Sequence, residues 1–475
     1  MNVLLRSILI LVLALALGAC DRPVAHHFPP DDINVRLDST NLPIVWIEVG
    51  GDAIMRDKRI QARMKIVHNG DGSMNYADTV AHPGQHIDYD GYIALRYRGN
   101  STYNSSPKKP YSLRTLAEPL HHGGKKQKVA LLGMGKDNNW ALLAPYADKS
   151  MIRDMLTYQL ARQWMEYVPQ GRHCELIVDG VYYGVYILAE VVSKGKYRLN
   201  LAAPGDSGDA LTGDYLMEVD SNDDVTYTSR YCPVDSSGKP YKGYRILFQY
   251  KEPELEELTP VQQAYINGRI DEMENALSRG EDYRRYIDVE SFIDYQLMME
   301  LGHNVDAYRL SGKFYKRRDS VDPRFKMVIW DTDLAYGNAD HRDGWRTDTW
   351  MYQNNNTLHL FQEEVYLVPF WWYSLNRDPA YRAQLKARWA AYRNSNMSDE
   401  RLMATVDSLS TLLTAHGAEC RNSQAWPRWG VWVWSNHHVA TSYDDEISYI
   451  KHWLTRRVAW MDRQLGYRDT NDINR

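Results

Sequence analysis

Met327-Val-Ile-Trp-Asp-Thr-Asp333 joins an apolar run to a pair of aspartates. Its first four residues are apolar and predict a buried strand, and two carboxylates follow at positions i and i+2. On a strand, residues two apart point to the same side, so Asp331 and Asp333 can face one ion. Carboxylate oxygens are ligands that Mg²⁺ accepts, whereas an isolated aspartate is more often a turn or cap residue. The apolar flank favours the metal-site interpretation.

Strand patterns precede this stretch and helical patterns follow it. Alternating or β-branched runs predict strands, a helical spacing of apolar residues predicts helices, and together they indicate an α+β protein with two lobes. Strands are predicted at 43–49, 63–68, 92–98 and 214–219, and a hairpin with an Asp179-Gly180 turn is predicted at 174–192. Helices are predicted at 148–167, 259–278, 289–301, 370–393, 399–416 and 444–465.

Composition excludes several classes of protein without choosing a function. The chain has 475 residues, of which 44% are hydrophobic and 25% charged, so it can bury a large core without disulfide bonds. Its 56 basic and 61 acidic residues give a net charge of −5, which argues against a nucleic-acid partner. The 34 Tyr and 15 Trp against 7 Phe are typical of grooves and interfaces.

The N-terminus has the pattern of an exported lipoprotein. Arg6 precedes an apolar run at 7–17 that is shorter than the roughly 20 residues of a membrane-spanning helix. Small residues then lead to Cys20, which predicts a signal peptide and lipidation of Cys20. The alternative is an ordinary signal peptide cut after Ala19. We therefore expect an extracytoplasmic protein, anchored by its lipid to a bacterial membrane.

The other cysteines do not form a recognisable metal or disulfide motif. Cys174, Cys232 and Cys420 are odd in number and lack CxxC spacing, so we expect free thiols and no zinc site. His341-Arg342-Asp343 spells a kinase catalytic triplet, but it follows the Asp331–Asp333 pair where kinases place it before, so we interpret it as coincidence.

Several linked motifs occur in an order that resembles the CotH family, the atypical protein kinases named for a spore-coat protein. The resemblance covers residues 41–338. It rests on Arg98-Gly-Asn-Ser-Thr102, Pro107-Lys-Lys-Pro-Tyr111, Asn139 to Arg153, Gly184 to Glu190, His303-Asn-Val-Asp306 and Trp330-Asp-Thr-Asp333. It implies a protein-kinase-like two-lobed fold with an antiparallel-sheet N-lobe and a helical C-terminal lobe.

The resemblance also implies roles for individual residues. Asp306 is similar to the catalytic aspartate, and Asp331, with Asp333 beside it, is similar to the metal-binding aspartate. The turn at Arg98, Gly99, Asn100 and Ser101 resembles the loop over the nucleotide phosphates. Lys109 resembles the ATP-phosphate lysine, with Lys108 the less favoured of the two, and Glu190 resembles the hinge position beside adenine. Lys313 departs from the family, because spore-coat members often carry asparagine there, and its side chain either points away from the site or neutralises phosphate charge itself.

We therefore expect a phosphotransferase that moves the γ-phosphate of ATP to a protein Ser or Thr hydroxyl with Mg²⁺ or Mn²⁺. The alternative is a non-catalytic surface module that binds a glycan or a protein, since Trp371, Trp372, Trp426, Trp429, Trp432 and Trp434 could stack on sugar rings. The predicted organisation is a signal peptide (1–19), a lipidated cysteine with tether (20–40), a kinase-like domain (41–345) and a helical C-terminal part of the same unit (346–475).

Overall fold

The computed structural model describes residues 35–221, 224–360 and 365–468, which form a mixed α and β protein. The α+β class expected from the sequence is therefore confirmed. The predicted signal peptide and Cys20 lie outside the described residues. In chain order the strands are β1 (Ser39–Thr40), β2 (Ile44–Glu48), β3 (Ile60–Val67), β4 (Asn75–Tyr76), β5 (Ile87–Tyr97), β6 (Tyr111–Leu116), β7 (Asn139–Leu143), β8 (Gly171–Val178), β9 (Val181–Glu190), β10 (Tyr215–Val219), β11 (Tyr227–Thr228), β12 (Leu247–Glu252), β13 (Gly312–Lys316) and β14 (Phe325–Val328).

Seven of these strands close into a barrel in the order β2-β3-β5-β6-β7-β9-β8. The sequence predicted an antiparallel sheet, and the structure differs because β2 and β8 run parallel and join the two edges. Closure of this kind leaves no unpaired edge strand. The β8–β9 hairpin turns at Asp179-Gly180 as predicted, with positive φ at both residues, which suits the twist of a two-residue turn.

A second, five-stranded sheet has the order β11-β12-β10-β13-β14. All its neighbouring strands are antiparallel. Glu218 on the central strand β10 lies opposite Gln249 of β12 and Lys313 of β13. This register places the charged Glu218 and Lys313 and the polar Gln249 side by side on three neighbouring strands.

The helices are mostly in the second half of the chain. They are α1 (Ser101–Ser105), α2 (Arg153–Ala161), α3 (Gly208–Leu211), α4 (Pro260–Arg279), α5 (Val289–Gly302), α6 (Asn355–Leu360), α7 (Phe370–Arg377), α8 (Pro379–Arg393), α9 (Asp399–Thr414), α10 (Ala418–Ala425) and α11 (Tyr443–Leu465).

Local sequence explains where several of these helices begin and end. Thr259 forms a capping box with Gln262 at the start of α4, as the Thr-Pro signal predicts. The single helix expected at 370–393 is instead two helices. Asp378 caps α8 through the Ala380 N–H, and Pro379 has no N–H to continue α7, so the chain breaks there.

Two large apolar cores and one small apolar cluster hold the described residues together. One core lies in the barrel and includes Met64 and Trp140, and the other core joins the five-stranded sheet to the helices and includes Trp371 and Trp372. The C-terminal helices also reach back to the barrel. On α10, the Asn422 side-chain oxygen accepts hydrogen bonds from the Lys108 ammonium and the Val185 N–H.

Candidate active site between the barrel and the five-stranded sheet

A cavity of about 570 Å³ lies where the barrel meets the five-stranded sheet and its helices. The barrel contributes the turn after β5. The opposite wall carries three carboxylates and one lysine, namely Asp306, Asp331, Asp333 and Lys313. The fold therefore brings together residues more than 200 positions apart in the chain.

The turn after β5 forms the barrel side of the cavity and consists of Arg98, Gly99, Asn100 and Ser101. Gly99 has a φ of +78°, which glycine adopts without strain, and α1 begins directly afterwards. Asn100 and Ser101 are exposed at the tip. The half-buried Arg98 places its guanidinium 5.3 Å from the centre of the Trp330 ring, so it extends across the cavity toward the carboxylates.

Asp306 lies in the irregular segment that follows α5. His303 ends that helix in a left-handed conformation. The Asp306 carboxylate is about a quarter exposed and accepts a 2.6 Å hydrogen bond from the buried Arg309 guanidinium. The Asn304 side chain donates to the Asp331 carbonyl at 3.0 Å and so fastens this segment to the next carboxylates. Asp306 is thus accessible from the cavity and held in a fixed orientation.

Asp331 and Asp333 follow β14, which ends at Val328, and do not lie on the strand as the sequence suggested. Asp331 has a φ of +62°, so the alternation of a strand does not apply to it. Between the two, the buried Thr332 donates from both its N–H and its hydroxyl to one oxygen of Asp154, at 2.7 and 3.0 Å. This double hydrogen bond fixes the turn and leaves both carboxylates on the cavity wall.

Neighbouring carboxylates on this wall raise the pKa values of one another. Burial, and then the neighbouring Asp306, raise the pKa of Asp331, although its side chain is open to cavity solvent. Burial, Asp331 and Asp154 raise the pKa of Asp333 well above its usual range. A cation placed among these groups would favour their ionised forms.

Lys313 points into the cavity and not away from it. Its ammonium pairs with Glu218, whose second oxygen lies 3.1 Å from the Lys251 ammonium. Burial opposes ionisation of Glu218, but Lys313 and Lys251 outweigh it and hold the pKa of that carboxyl below its usual value. The three side chains therefore form a charged triad with one net positive charge, and all three line the cavity.

Two predicted binding residues do not line the cavity. The half-buried Lys109 donates from its ammonium to the Tyr103 carbonyl at 2.5 Å, and Lys108 is fully buried against Val185 and Asn422. Glu190 is buried in an ion pair with Arg198 at 2.5 Å. In each case the charged group is bound by another partner, the Tyr103 carbonyl on α1, Asn422 on α10 or Arg198 after β9, which the sequence motif does not reveal.

Sequence reasoning missed several residues that the fold adds to the cavity. Glu218, Lys251 and Asp154 come from β10, β12 and α2. Charged residues in otherwise apolar strands were the available signal for the first two, since a buried charge needs a partner. Asp148 and Arg153 form a buried ion pair at 2.6 Å, with Glu446 on the other side of Arg153.

No group of three or more His, Cys, Asp or Glu side chains within 35–221, 224–360 and 365–468 is arranged to hold a metal ion by itself. Two carboxylates with substrate oxygens and water are, however, a usual environment for Mg²⁺.

The sequence model of the CotH kinase proteins matches residues 95–461. The chain belongs to the CotH kinase family. The match begins in β5, includes every side chain of the cavity wall described above, and ends inside α11. Membership in this family supports a kinase-like phosphotransferase activity. No curated protein matches the chain.

The tryptophans that could stack on sugar rings differ in exposure, and Trp429 among them is half-buried. Trp371, Trp372 and Trp426 are buried in the cores, so they cannot stack on a ligand. Trp432 and Trp434 are exposed. The three cysteines in the described residues are free, as expected. Among the described helices, none combines the length and apolar character needed to cross a bilayer.

Proposed function

We propose that this CotH-family protein transfers the γ-phosphate of ATP to a Ser or Thr hydroxyl of a protein, with Mg²⁺ or Mn²⁺ as cofactor. The observation that carries the proposal is the cavity itself. A glycine turn with exposed small polar residues faces three carboxylates and a lysine-rich triad across one space. Phosphoryl transfer requires positioning and charge neutralisation more than covalent chemistry from the protein.

In this proposal the two apolar cores correspond to the two lobes of a kinase-like fold. The barrel is the N-terminal lobe, and its turn at 98–101 covers the phosphates of the nucleotide. The five-stranded sheet with the helices is the C-terminal lobe, which supplies Asp306 and Asp331. The position of the cavity at the junction of the two cores supports this assignment.

We assign the contact with the donor phosphates to Lys313 and Lys251, and no longer to Lys109. A flexible ammonium is a suitable point charge for a phosphate, and Glu218 keeps both ammonium groups at the cavity wall. Protein kinases use a lysine paired with a glutamate for the same purpose. Lys313 therefore neutralises phosphate charge at a position where spore-coat members of the family often carry a neutral asparagine.

Asp331 and Asp333 would hold the divalent cation. Their oxygen donors suit Mg²⁺ and Mn²⁺, and the like charge that raises the pKa of both carboxyls fits a site that gains a cation. When bound, the cation supplies neutralisation of the phosphate charge. Thr332 and Asp154 keep the two carboxylates in place for this role through their paired hydrogen bonds.

Asp306 receives the proton of the acceptor hydroxyl. The acceptor oxygen forms a bond to the γ-phosphorus while the bond to the departing ADP oxygen breaks, and the hydroxyl proton passes to the Asp306 carboxylate. The hydrogen bond from Arg309 fixes one carboxylate oxygen, so the other is directed to the acceptor.

Nucleotide binding and transfer test the assignments separately. With γ-labelled ATP and Mn²⁺, the wild-type protein should label a protein acceptor, and Asp306→Asn should lose labelling but keep the thermal shift that ATP and Mn²⁺ produce. Lys313→Met should lose most of that shift, Lys313→Arg should keep part of it, and Lys109→Met should keep it fully. Unfolding without nucleotide controls for loss of structure.

The outcomes separate the hypotheses. Equal labelling by Asp306→Asn and wild type removes Asp306 from the chemistry. Loss of the shift in Lys109→Met with retention in Lys313→Met returns the phosphate role to Lys109. If ATP with either metal produces no thermal shift in the wild-type protein but an oligosaccharide does, the protein is a binding module.

We also propose the location predicted from the N-terminus, a lipid-anchored protein outside the cytoplasm. Mass spectrometry of the mature N-terminal peptide should show Cys20 carrying acyl chains, and Cys20→Ser should move the protein from the membrane to the soluble fraction. A mature chain that begins at an unmodified Cys20 would instead indicate an ordinary signal peptide.

A further inference from the structure

The loop at 430–440, between α10 and α11, presents an apolar surface beside the cavity. Its exposed apolar residues are Val431, Trp432, Trp434 and Val439. Trp432 and Trp434 are the only exposed tryptophans in the described part of the chain. Trp432 has 54% of its surface in solvent, a high value for a side chain that normally seeks burial. We call these four residues the Trp patch.

The loop that carries the Trp patch is firmly anchored. The Gly430 N–H donates to the Ala440 carbonyl, which brings Val431 and Val439 to neighbouring positions. The Lys149 ammonium donates to the Val431 carbonyl at 2.6 Å, and the Asn436 side chain donates to the Ala147 carbonyl at 2.6 Å. The patch is therefore a preorganised surface, which reduces the entropic cost of binding.

The Trp patch is continuous with the proposed active site. Trp434 itself lines the cavity that contains Asp306, and its ring stacks on His341 with centroids 5.8 Å apart. The Trp432 indole donates to an Asp340 carboxylate oxygen at 3.0 Å, which fixes the orientation of that ring. A chain bound across the patch would thus reach the cavity past Trp434.

The chemistry of the patch favours a polypeptide over a sugar. Two valines flank the tryptophans, and valine side chains offer no hydrogen bond to sugar hydroxyls, whereas they suit an aliphatic or aromatic side chain. Carboxylates stand beside the patch, since Asp340 is partly exposed and Asp306 lies inside the adjoining cavity. Charge complementarity therefore favours basic residues and disfavours acidic residues in the bound segment.

We propose that the Trp patch docks the acceptor polypeptide, by taking a large apolar side chain that lies close to the acceptor Ser or Thr in a segment without acidic neighbours. This inference rests on the proposed phosphotransferase function and adds its substrate class. The role is one of substrate binding, and the chemistry remains with Asp306.

A set of Ser/Thr peptides tests the proposal with the full-length protein, ATP and Mn²⁺. The flanking positions carry leucine or phenylalanine, glycine, lysine or glutamate in turn. Wild type should prefer the apolar and lysine peptides, and Trp432→Ala should raise KM for apolar peptides at least about tenfold, because interface tryptophans are frequent hot spots. The ATP-dependent thermal shift should not change in Trp432→Ala. Val321→Ala, at an exposed valine outside the cavity, is the matched control.

Each result bears on one hypothesis. Peptide transfer without apolar preference, or an unchanged KM in both Trp432→Ala and Trp434→Ala, overturns the docking role and leaves the phosphotransferase function intact. If the wild-type protein transfers phosphate neither to any of the peptides nor to a general protein acceptor, the proposed function is overturned. The acceptor-docking role is then overturned with it. Binding of oligosaccharides or phospholipid vesicles that Trp432→Ala abolishes, without an effect on peptides, assigns the patch to a sugar or a membrane instead.

Discussion

Replacing Glu274 by glutamine should stabilise the protein at pH 8 far more than at pH 5. Glu274 lies on α4, almost fully buried, and accepts hydrogen bonds from the Ser229 hydroxyl at 2.6 Å and the Trp371 indole at 2.8 Å. No basic side chain pairs with it among the hydrogen bonds and ion pairs of the described residues. Burial raises the pKa of Glu274 to about 7, although the two hydrogen bonds oppose this shift.

The sign and size follow from linkage. A carboxyl with a pKa near its ordinary 4.5 in the unfolded chain and about 7 in the folded protein binds more protons when folded between those two values. The free energy of unfolding therefore falls as pH rises from 4.5 to 7, by about 3 kcal/mol in all and about 2 kcal/mol between pH 5 and pH 8. Glutamine does not ionise, so the free energy of unfolding of Glu274→Gln should not fall by this amount as pH rises.

Glutamine can also keep most of the local hydrogen bonds. Its carbonyl oxygen can accept from the Trp371 indole, and its amide can donate to the Ser229 hydroxyl oxygen, which already accepts from the Tyr231 N–H at 2.9 Å and has a second lone pair. The variant therefore tests ionisation without a change in side-chain volume.

The assay is urea or thermal unfolding of wild type and variant at pH 5 and pH 8. Glu272→Gln, on the same helix but exposed, controls for loss of a carboxylate. The stability difference between Glu274→Gln and wild type should rise by about 2 kcal/mol between the two pH values. An equal difference at both pH values would falsify the reasoning, because Glu274 would then be ionised throughout.

Two further predictions concern other buried groups. Arg153→Met should lower the free energy of unfolding in urea by about 3–5 kcal/mol, because it leaves the buried Asp148 and Glu446 carboxylates without their shared cation. A loss of stability below about 1 kcal/mol would contradict this. A thiol reagent at neutral pH should label the exposed Cys420 and leave Cys174 unlabelled until the protein unfolds, since burial raises the pKa of the Cys174 thiol to about 12. Fast labelling of Cys174 in the folded protein would contradict this and show that the barrel opens.

The elements that local sequence determines were predictable. The β8–β9 turn required positive φ at two adjacent positions, and Asp179-Gly180 supplies residues that tolerate it. The caps of α4 and α5 fix their starts at Thr259 and Asp288. Pro379 carried the same kind of local signal, and the apolar periodicity on both sides of it concealed the break between α7 and α8.

Long-range pairing explains what the sequence did not reveal. Parallel closure of the barrel joins β2 to β8 across some 130 positions, and no local pattern encodes that contact. The same holds for the charged residues of the site. The register of β10, β12 and β13 places Lys313 beside Glu218 at the cavity wall. Lys109 lies outside this sheet, just before β6, and donates instead to the Tyr103 carbonyl on α1.

The charge distribution in the cavity leads to a final prediction, that ATP should bind poorly without a divalent cation. A free triphosphate entering the cavity meets Asp306, Asp331 and Asp333, whereas Lys313 and Lys251 on the same side already share Glu218. Like charges repel more strongly in a partly buried site than in water. With EDTA in place of Mn²⁺, the apparent Kd for ATP should therefore rise at least about tenfold, or about 1.4 kcal/mol. An Asp331→Asn/Asp333→Asn variant should reduce the difference between EDTA and Mn²⁺, because it removes both the repulsion and the metal ligands. If wild type binds ATP equally well in EDTA, the carboxylates do not face the phosphates, and the assignment of the cavity walls to donor and metal is wrong.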